Sequence, residues 1–236
     1  MSSSLSALLS ATFHERGYDH VIELIHQRDA ARRRRLASLD VTVYDPSGKL
    51  LATPPVDAVR ETVDLAALVE AIPDAPPRVM VAFDTRYDEG IFPYRPHHYA
   101  YLHRRGSTAP ALYYAVNAVL GGVPDRIGAT SINNFETYIF RSGLFAERYS
   151  LLLGCLSRFA PVEAQVFAHY GTARTVREVS IQPKAHVEVE LPSQQDGQRL
   201  SRVELKALFR LAAYVVGRRA ETGDLVLFDH LFTYFK

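Results

Sequence analysis

An internal repeat is the feature of this sequence that most restricts its fold. Residues 13–18 (Phe-His-Glu-Arg-Gly-Tyr) recur at 145–149 as Phe-Ala-Glu-Arg-Tyr, one residue shorter. Further matches follow in the same order, most of them about 130 residues apart: Arg28 with Arg158, 59–61 with 176–178, 81–83 with 212–214, and 97–103 with 230–236. A fixed spacing of this kind is typical of a duplicated structural unit. We therefore expect two related half-domains, over residues 10–105 and 142–236.

Short runs of alternating apolar and polar residues in both halves predict β-strands. Residues 39–44 alternate in this way and lead into the turn sequence at 45–48, Asp-Pro-Ser-Gly. Residues 162–167 and 186–191 show the same pattern in the second half. Short strands separated by turn signals favour antiparallel sandwiches over a βαβ fold. The sequence predicts a mainly β protein of two tandem antiparallel β-sandwich half-domains related by internal duplication, with a short helical linker.

The segment 106–141 lies outside the repeat and is the predicted linker. Within it, residues 109–120 are rich in alanine and leucine and are followed by Gly121-Gly122, which predicts a short helix with a glycine stop. Residues 63–72 also have helical propensity. Because a free linker would be more polar, the apolar residues of this segment favour two halves that pack against each other.

Composition and motifs restrict the function. The net charge of +1 gives no general reason to expect a nucleic-acid partner. The single cysteine, Cys155, lies in an apolar run and is expected to be a buried, inert thiol. The nucleotide-binding and triad-hydrolase motifs are absent from the sequence, so we predict no cofactor. No apolar run approaches the ~20 residues that span a bilayer, and the first residues do not resemble a signal peptide, so a cytoplasmic location is expected by default.

Arginine supplies nearly all of the positive charge, because only four of the 27 basic residues are lysine. This bias fits a GC-rich coding sequence, which we favour, or bidentate recognition of carboxylate or phosphate. The run Arg32–Arg35 is interpreted in the same way: a charged hairpin or edge strand is favoured over an anion-binding segment.

The densest group of candidate binding residues lies at 97–105. On a strand, residues two apart share a face, so one side would carry His97, Tyr99, Tyr101 and His103. The two ends of this row lie roughly 20 Å apart, too far for both histidines to bind one metal ion. No metal site is therefore predicted. The alternative is a metal site formed by His97, His98 and His230.

Residues present in both halves are expected to support the fold, whereas residues unique to one half are better candidates for binding. The first class contains Glu15, Arg16, Glu147 and Arg148. The candidate ligand-binding residues are His97, His98, Tyr99, Tyr101, His103, Arg104, Arg105, Asn133, Asn134 and Glu136.

Together these features predict a non-catalytic binding or accessory protein, with a site for a small molecule or a protein partner at the junction of the halves. Two alternatives stay open: a histidine-dependent, metal-assisted enzyme that uses His97, His98 or His103, and a structural subunit of a larger complex. The catalytic residues, the identity of the ligand and self-association into a homo-oligomer are left open by the sequence.

Overall fold

A computed structural model describes residues 7–24, 28–29, 32–33, 36–57, 62–87, 97–117, 134–140 and 148–233. The elements of the first half are β1 (Ala7–Glu15), β2 (Tyr18–Glu23), β3 (Arg28–Asp29), β4 (Arg32–Arg33), β5 (Leu36–Tyr44), β6 (Leu50–Ala52), β7 (Thr62–Asp64), α1 (Leu65–Glu70), β8 (Arg78–Tyr87), β9 (His97–Arg104) and β10 (Leu112–Asn117). The elements of the second half are β11 (Asn134–Ile139), β12 (Arg148–Gly154), β13 (Val162–Tyr170), β14 (Ala173–Ile181), β15 (His186–Leu191), β16 (Gln194–Gln195), β17 (Gln198–Ala207), β18 (Ala212–Arg218), β19 (Leu225–His230) and β20 (Phe232–Thr233).

The strands form four larger antiparallel sheets, which confirms the prediction of a mainly β protein. Sheet I has the strand order β1-β8-β5-β6, and sheet II has the order β10-β9-β2-β7. Sheet III has the order β15-β12-β18-β19, and sheet IV has the order β14-β13-β17-β11-β20. The first arginines of the predicted charged hairpin form β4, which pairs with β3, whereas residues 34–35 lie outside the described residues.

The two halves have the same strand order. When their main strands are matched in chain order, sheet I corresponds to sheet IV and sheet II corresponds to sheet III. Tyr18 and Tyr149, which the sequence repeat pairs, both lie at the start of equivalent strands, β2 and β12. The later residue matches do not follow the topology, because β9 is equivalent to β18 but its residues were matched to those of β19 and β20. Common origin by duplication stays a prediction.

The helix predicted over residues 109–120 is wrong in the part that the structure describes. Leu112–Asn117 form β10, which pairs with β9 in sheet II. Tyr114 and Val116 point into the core whereas Tyr113 is exposed, so the period of burial is two. The segment predicted as a linker therefore supplies a strand to sheet II and, through β11, another to sheet IV. The weaker helical signal at 63–72 is confirmed by α1, with Asp64 as its N-cap.

The sheets are stacked in the order II, I, III, IV. Sheets I and III are buried on both faces: residues 79–83 of β8 and residues 212–217 of β18 are buried without interruption. One core cluster contains side chains of sheets I and II together with Leu152, Tyr214 and Val216 of sheet III. The opposite face of sheet III packs on sheet IV in a second cluster. The two halves therefore share the first of these clusters.

Close contacts between sheets I and III leave no space for added side-chain atoms. A Cβ on Gly154 of β12 would lie 2.5 Å from Met80 Sδ of β8. A Cβ on Gly48, in the turn after β5, would lie 2.4 Å from the carbonyl oxygen of Pro183 in the other half. Gly48 also has a φ of 90°, which favours glycine. The two halves are therefore in direct contact at both glycines.

Candidate functional site

The predicted tyrosine and histidine row lies on the outer face of sheet II. Tyr101 is 43% exposed and Tyr113, its direct neighbour on β10, is 61% exposed. The Tyr99 and Tyr113 rings are stacked with centroids 5.2 Å apart. We call the surface formed by Val21, Tyr99, Tyr101, His103 and Tyr113 the tyrosine face. It faces away from sheet I, and its edge strand β10 also contacts β19 of the second half. His97 belongs to β9, but its side chain lies outside what the structure describes.

His98 lies on the opposite, buried face of β9. Its side chain is 3% exposed, its Nε2 is 3.4 Å from Thr85 Oγ1, and its ring packs on Phe83. His98 and His103 therefore lie on opposite faces of one sheet and do not form a common site. His230, the remaining histidine of the metal alternative, lies in sheet III beside Asp229. Among the described residues, no group of three or more His, Cys, Asp or Glu side chains is placed to hold a metal ion.

Arg104 and Arg105 bind acidic side chains of the protein itself. Arg104 donates to Asp224 at 2.7 Å, across the junction of the halves. Arg105 donates to Asp19 at 2.6 Å and also to Glu70. Both arginines line a shallow depression of about 490 Å³. Since their charges are already balanced, this depression is the weaker candidate for a ligand site.

The other candidates are separated from the tyrosine face. Glu136 lies in sheet IV, is 3% exposed and accepts a hydrogen bond of 2.8 Å from Arg210. Asn134 is the first residue of β11, and its side chain lies outside the described part. Asn133 and Glu147 lie outside the described residues altogether. The predicted site residues are therefore distributed over different sheets.

A larger cleft of about 530 Å³ is lined by described residues of the second half alone, next to the contact between sheets III and I, and we call it the junction cleft. Its floor is the side of sheet III that faces sheet I, and Arg177 of β14 adds a wall from sheet IV. The lining residues are Arg148, Tyr149, Ser150, Arg177, Glu188, Glu190, Leu191, Pro192, Ser193 and Arg218.

An ion network fixes one side of the junction cleft. Glu15 of sheet I accepts hydrogen bonds from Arg218 and, at 3.1 Å, from Arg78. Arg78 also donates to Glu188, whose other oxygen accepts from Ser150. Burial raises the pKa of Glu188, but the hydrogen bonds from Ser150 and Arg78 outweigh it, so the pKa is lowered and the carboxylate stays charged. Sheet I thus holds two charged residues of the cleft in place.

Arg148 and Arg177 line the same cleft, and their guanidinium groups have no hydrogen bond or ion pair to any other residue that the structure describes. Both side chains are exposed to solvent. Guanidinium groups present planar pairs of N–H donors that match carboxylate and phosphate oxygens. The cleft therefore combines fixed charges with two cationic groups available to an anion.

The sequence did not predict this cleft, and it indicated a structural role for Arg148, which lines the cleft, and for Glu15, which lies beside it. Arg148 was predicted to be structural, yet it lies in the cleft. Arg16, its partner in the repeat, instead donates to the carbonyl oxygen of Ala75. Glu15 was predicted to form a structural ion pair and does so, although with Arg78 and Arg218. No sequence motif marks the cleft, and the arginine bias was its only signal.

No family model, curated protein or solved structure matches this chain. Among the described residues, no helix has the length and apolar character needed to span a membrane.

Proposed function

We propose that this protein is a non-catalytic binding protein that holds a carboxylate- or phosphate-bearing ligand in the junction cleft. The observation that carries the proposal is the placement of Arg148 and Arg177, without acidic partners among the described residues, in a cleft of about 530 Å³. Clefts of this size hold small molecules or a short segment of a partner protein.

The charges of the cleft favour an anion. Arg218 and Glu188 are bound to Glu15 and Arg78 of the other half, so these four charges largely balance one another. Arg148 and Arg177 then leave the rim positively charged, with Glu190 as the one further acidic lining residue. A ligand with two or more anionic oxygens could accept hydrogen bonds from both arginines and replace the water around them.

The residues of the cleft support binding and not catalysis. Ser150 is the hydroxyl nearest to a carboxylate, but Glu188 is an ionised acceptor that is also bound by Arg78. Because hydrogen bonds lower the pKa of Glu188, it is a weak base for activating Ser150. No histidine lines the cleft, and the histidines of the enzyme alternative lie in sheet II.

Substitution of Arg148 or Arg177 by alanine should weaken binding of pyrophosphate and citrate by about 10- to 100-fold each. A hydrogen bond to a charged group contributes roughly 1.5–3 kcal/mol, and 1.4 kcal/mol is tenfold in affinity. Isothermal titration calorimetry with both probes measures this loss. Arg177→Lys should recover only part of the affinity, since lysine keeps the charge but not the bidentate geometry.

Arg174→Ala is the matched control. Arg174 lies on the same strand as Arg177, but its guanidinium stacks over the ring of Phe167 instead of lining the cleft. It should leave probe binding unchanged. The proposal fails if the wild-type protein binds neither probe, or if Arg174→Ala weakens binding as much as Arg177→Ala does.

A further inference from the structure

The two halves pack head to tail. Sheet I of the first half contacts sheet III of the second, and sheet III is the equivalent of sheet II, not of sheet I. In the part of the chain that the structure describes, the outer face of sheet II and the outer face of sheet IV carry exposed aromatic and aliphatic side chains. A head-to-tail contact leaves one copy of each contact surface free, so further copies can extend it into a ring or an open filament.

The outer face of sheet II has the composition of a surface that docks. In sheet III, the equivalent face buries Leu152, Tyr214 and Val216 against sheet I. In sheet II, the corresponding position is the tyrosine face, where Tyr101 and Tyr113 are 43% and 61% exposed. Tyrosine provides a large apolar ring with a polar end and is enriched in protein interfaces. Glu23 of β2 adds an acidic group beside it and accepts a hydrogen bond of 2.8 Å from Tyr113.

The outer face of sheet IV has matching properties. Phe135, Ile139 and Phe232 are 39%, 58% and 46% exposed. In the strand register, Lys206 lies opposite Phe135 and Arg202 lies opposite Ile139. Arg202 is paired with Glu204 at 3.1 Å, so Lys206 supplies the basic group of this face. We call the surface formed by Phe135, Ile139, Arg202, Lys206 and Phe232 the sheet IV face. It is the equivalent of the sheet I face that packs on sheet III within the chain.

We propose that the tyrosine face of one copy docks on the sheet IV face of a second copy, and that the protein assembles head to tail through this contact. The contact repeats between chains the arrangement that sheets I and III adopt within the chain. Burial of exposed aromatic and aliphatic side chains supplies the driving force, and the acidic Glu23 beside one face complements the basic Lys206 of the other.

Sedimentation velocity over a wide concentration range tests the proposal. The wild-type protein should show a weight-average mass that rises above that of one chain as concentration increases. The double variants Tyr101→Glu/Tyr113→Glu and Phe135→Glu/Ile139→Glu should each remain monomeric. When they are mixed in equal amounts they should form a one-to-one dimer and nothing larger, because each variant keeps the face that the other has lost.

Phe159→Glu is the control, since Phe159 is 81% exposed and lies between β12 and β13, outside both faces; it should assemble like the wild type. The proposal is overturned if the wild type stays monomeric, if the mixture of variants does not dimerise, or if the sheet IV variant alone still associates. Circular dichroism identifies variants that fail to fold, and the serine pairs Tyr101→Ser/Tyr113→Ser and Phe135→Ser/Ile139→Ser then take their place.

Discussion

Replacement of Tyr214 by alanine should lower the free energy of unfolding by about 3–5 kcal/mol, the usual cost of removing a buried aromatic ring. Tyr214 lies in sheet III, is 2% exposed, and donates a hydrogen bond of 2.8 Å to the carbonyl oxygen of Ala11 in sheet I. Its ring contacts Phe13 of sheet I, Tyr114 of sheet II and Phe228 of sheet III. Three sheets would lose contacts at once.

Tyr214→Phe is the matched control, because it keeps the ring and removes only the hydroxyl. Loss of this one hydrogen bond should cost about 1 kcal/mol. Urea unfolding followed by circular dichroism measures both variants. Since the two halves share a core cluster, we expect one cooperative transition that shifts as a whole. Two separate transitions, with only one displaced by Tyr214→Ala, would contradict a shared core.

Local structure was the part of the fold that the sequence predicted best. Alternation at residues 97–103 correctly divides β9 into an outer face with Tyr101 and a buried face with His98. The turn at 45–48 forms because Asp45 accepts hydrogen bonds from the backbone of Ser47 and Lys49. These features depend on neighbours in the chain, so the sequence carries them directly.

Features that depend on distant partners were not predictable. The segment 109–120 contains residues that suit a helix, but pairing with β9 makes its described part a strand. The residue matches of the later repeat also connect strands that are not equivalent. The two halves share their strand order, but several pairs of matching residues lie on strands that are not equivalent. Residue matches alone therefore did not show which strands correspond.

The candidate site shows the same limit. Arg148, Arg177 and Arg218 come from three strands, and only the strand order places them around one cleft. The sequence suggested that residues shared by both halves support the fold. Glu15 forms ion pairs with Arg78 and Arg218, whereas a structural role for Arg148 stays a prediction. Alternation correctly placed Tyr99, Tyr101 and His103 on one face of β9, yet the position of that face on the outside of the stack could not be inferred from one strand.

Acidification from pH 7 to pH 5 should destabilise the protein strongly, because three buried histidines are neutral in the folded state. Burial lowers the pKa of His14 to about 4. Burial, together with the charge of His14, lowers the pKa of His20 to about 3. Burial and the nearby Arg78 lower the pKa of His186 to about 4. The unfolded chain protonates the same groups near pH 6.5.

The direction of this pH dependence follows from whether the folded or the unfolded state binds more protons. Between pH 6.5 and 4 the unfolded state carries the additional protons, so the free energy of unfolding rises with pH. The stabilisation is complete above about pH 7 and is lost as the pH falls toward 4. Each histidine should contribute a loss of about 2 kcal/mol between pH 7 and pH 5. Carboxylates whose pKa is lowered, such as Glu188, change the free energy of unfolding only below this pH range.

His14→Leu isolates one contribution. His14 stacks on His20 with ring centroids 5.6 Å apart, and its buried Nε2 has no hydrogen-bond partner among the described residues. An apolar side chain there removes a titrating group together with its unpaired Nε2, and it also removes the 3.4 Å hydrogen bond between the Nδ1 atoms of His14 and His20. Urea unfolding at pH 7, 6 and 5 should show a shallower pH dependence for His14→Leu, by about 2 kcal/mol over the range, than for the wild type.

His103→Gln, on the outer face of sheet II, should keep the wild-type slope. A wild-type stability that does not change between pH 7 and pH 5 would mean that these histidines do not remain neutral inside the fold.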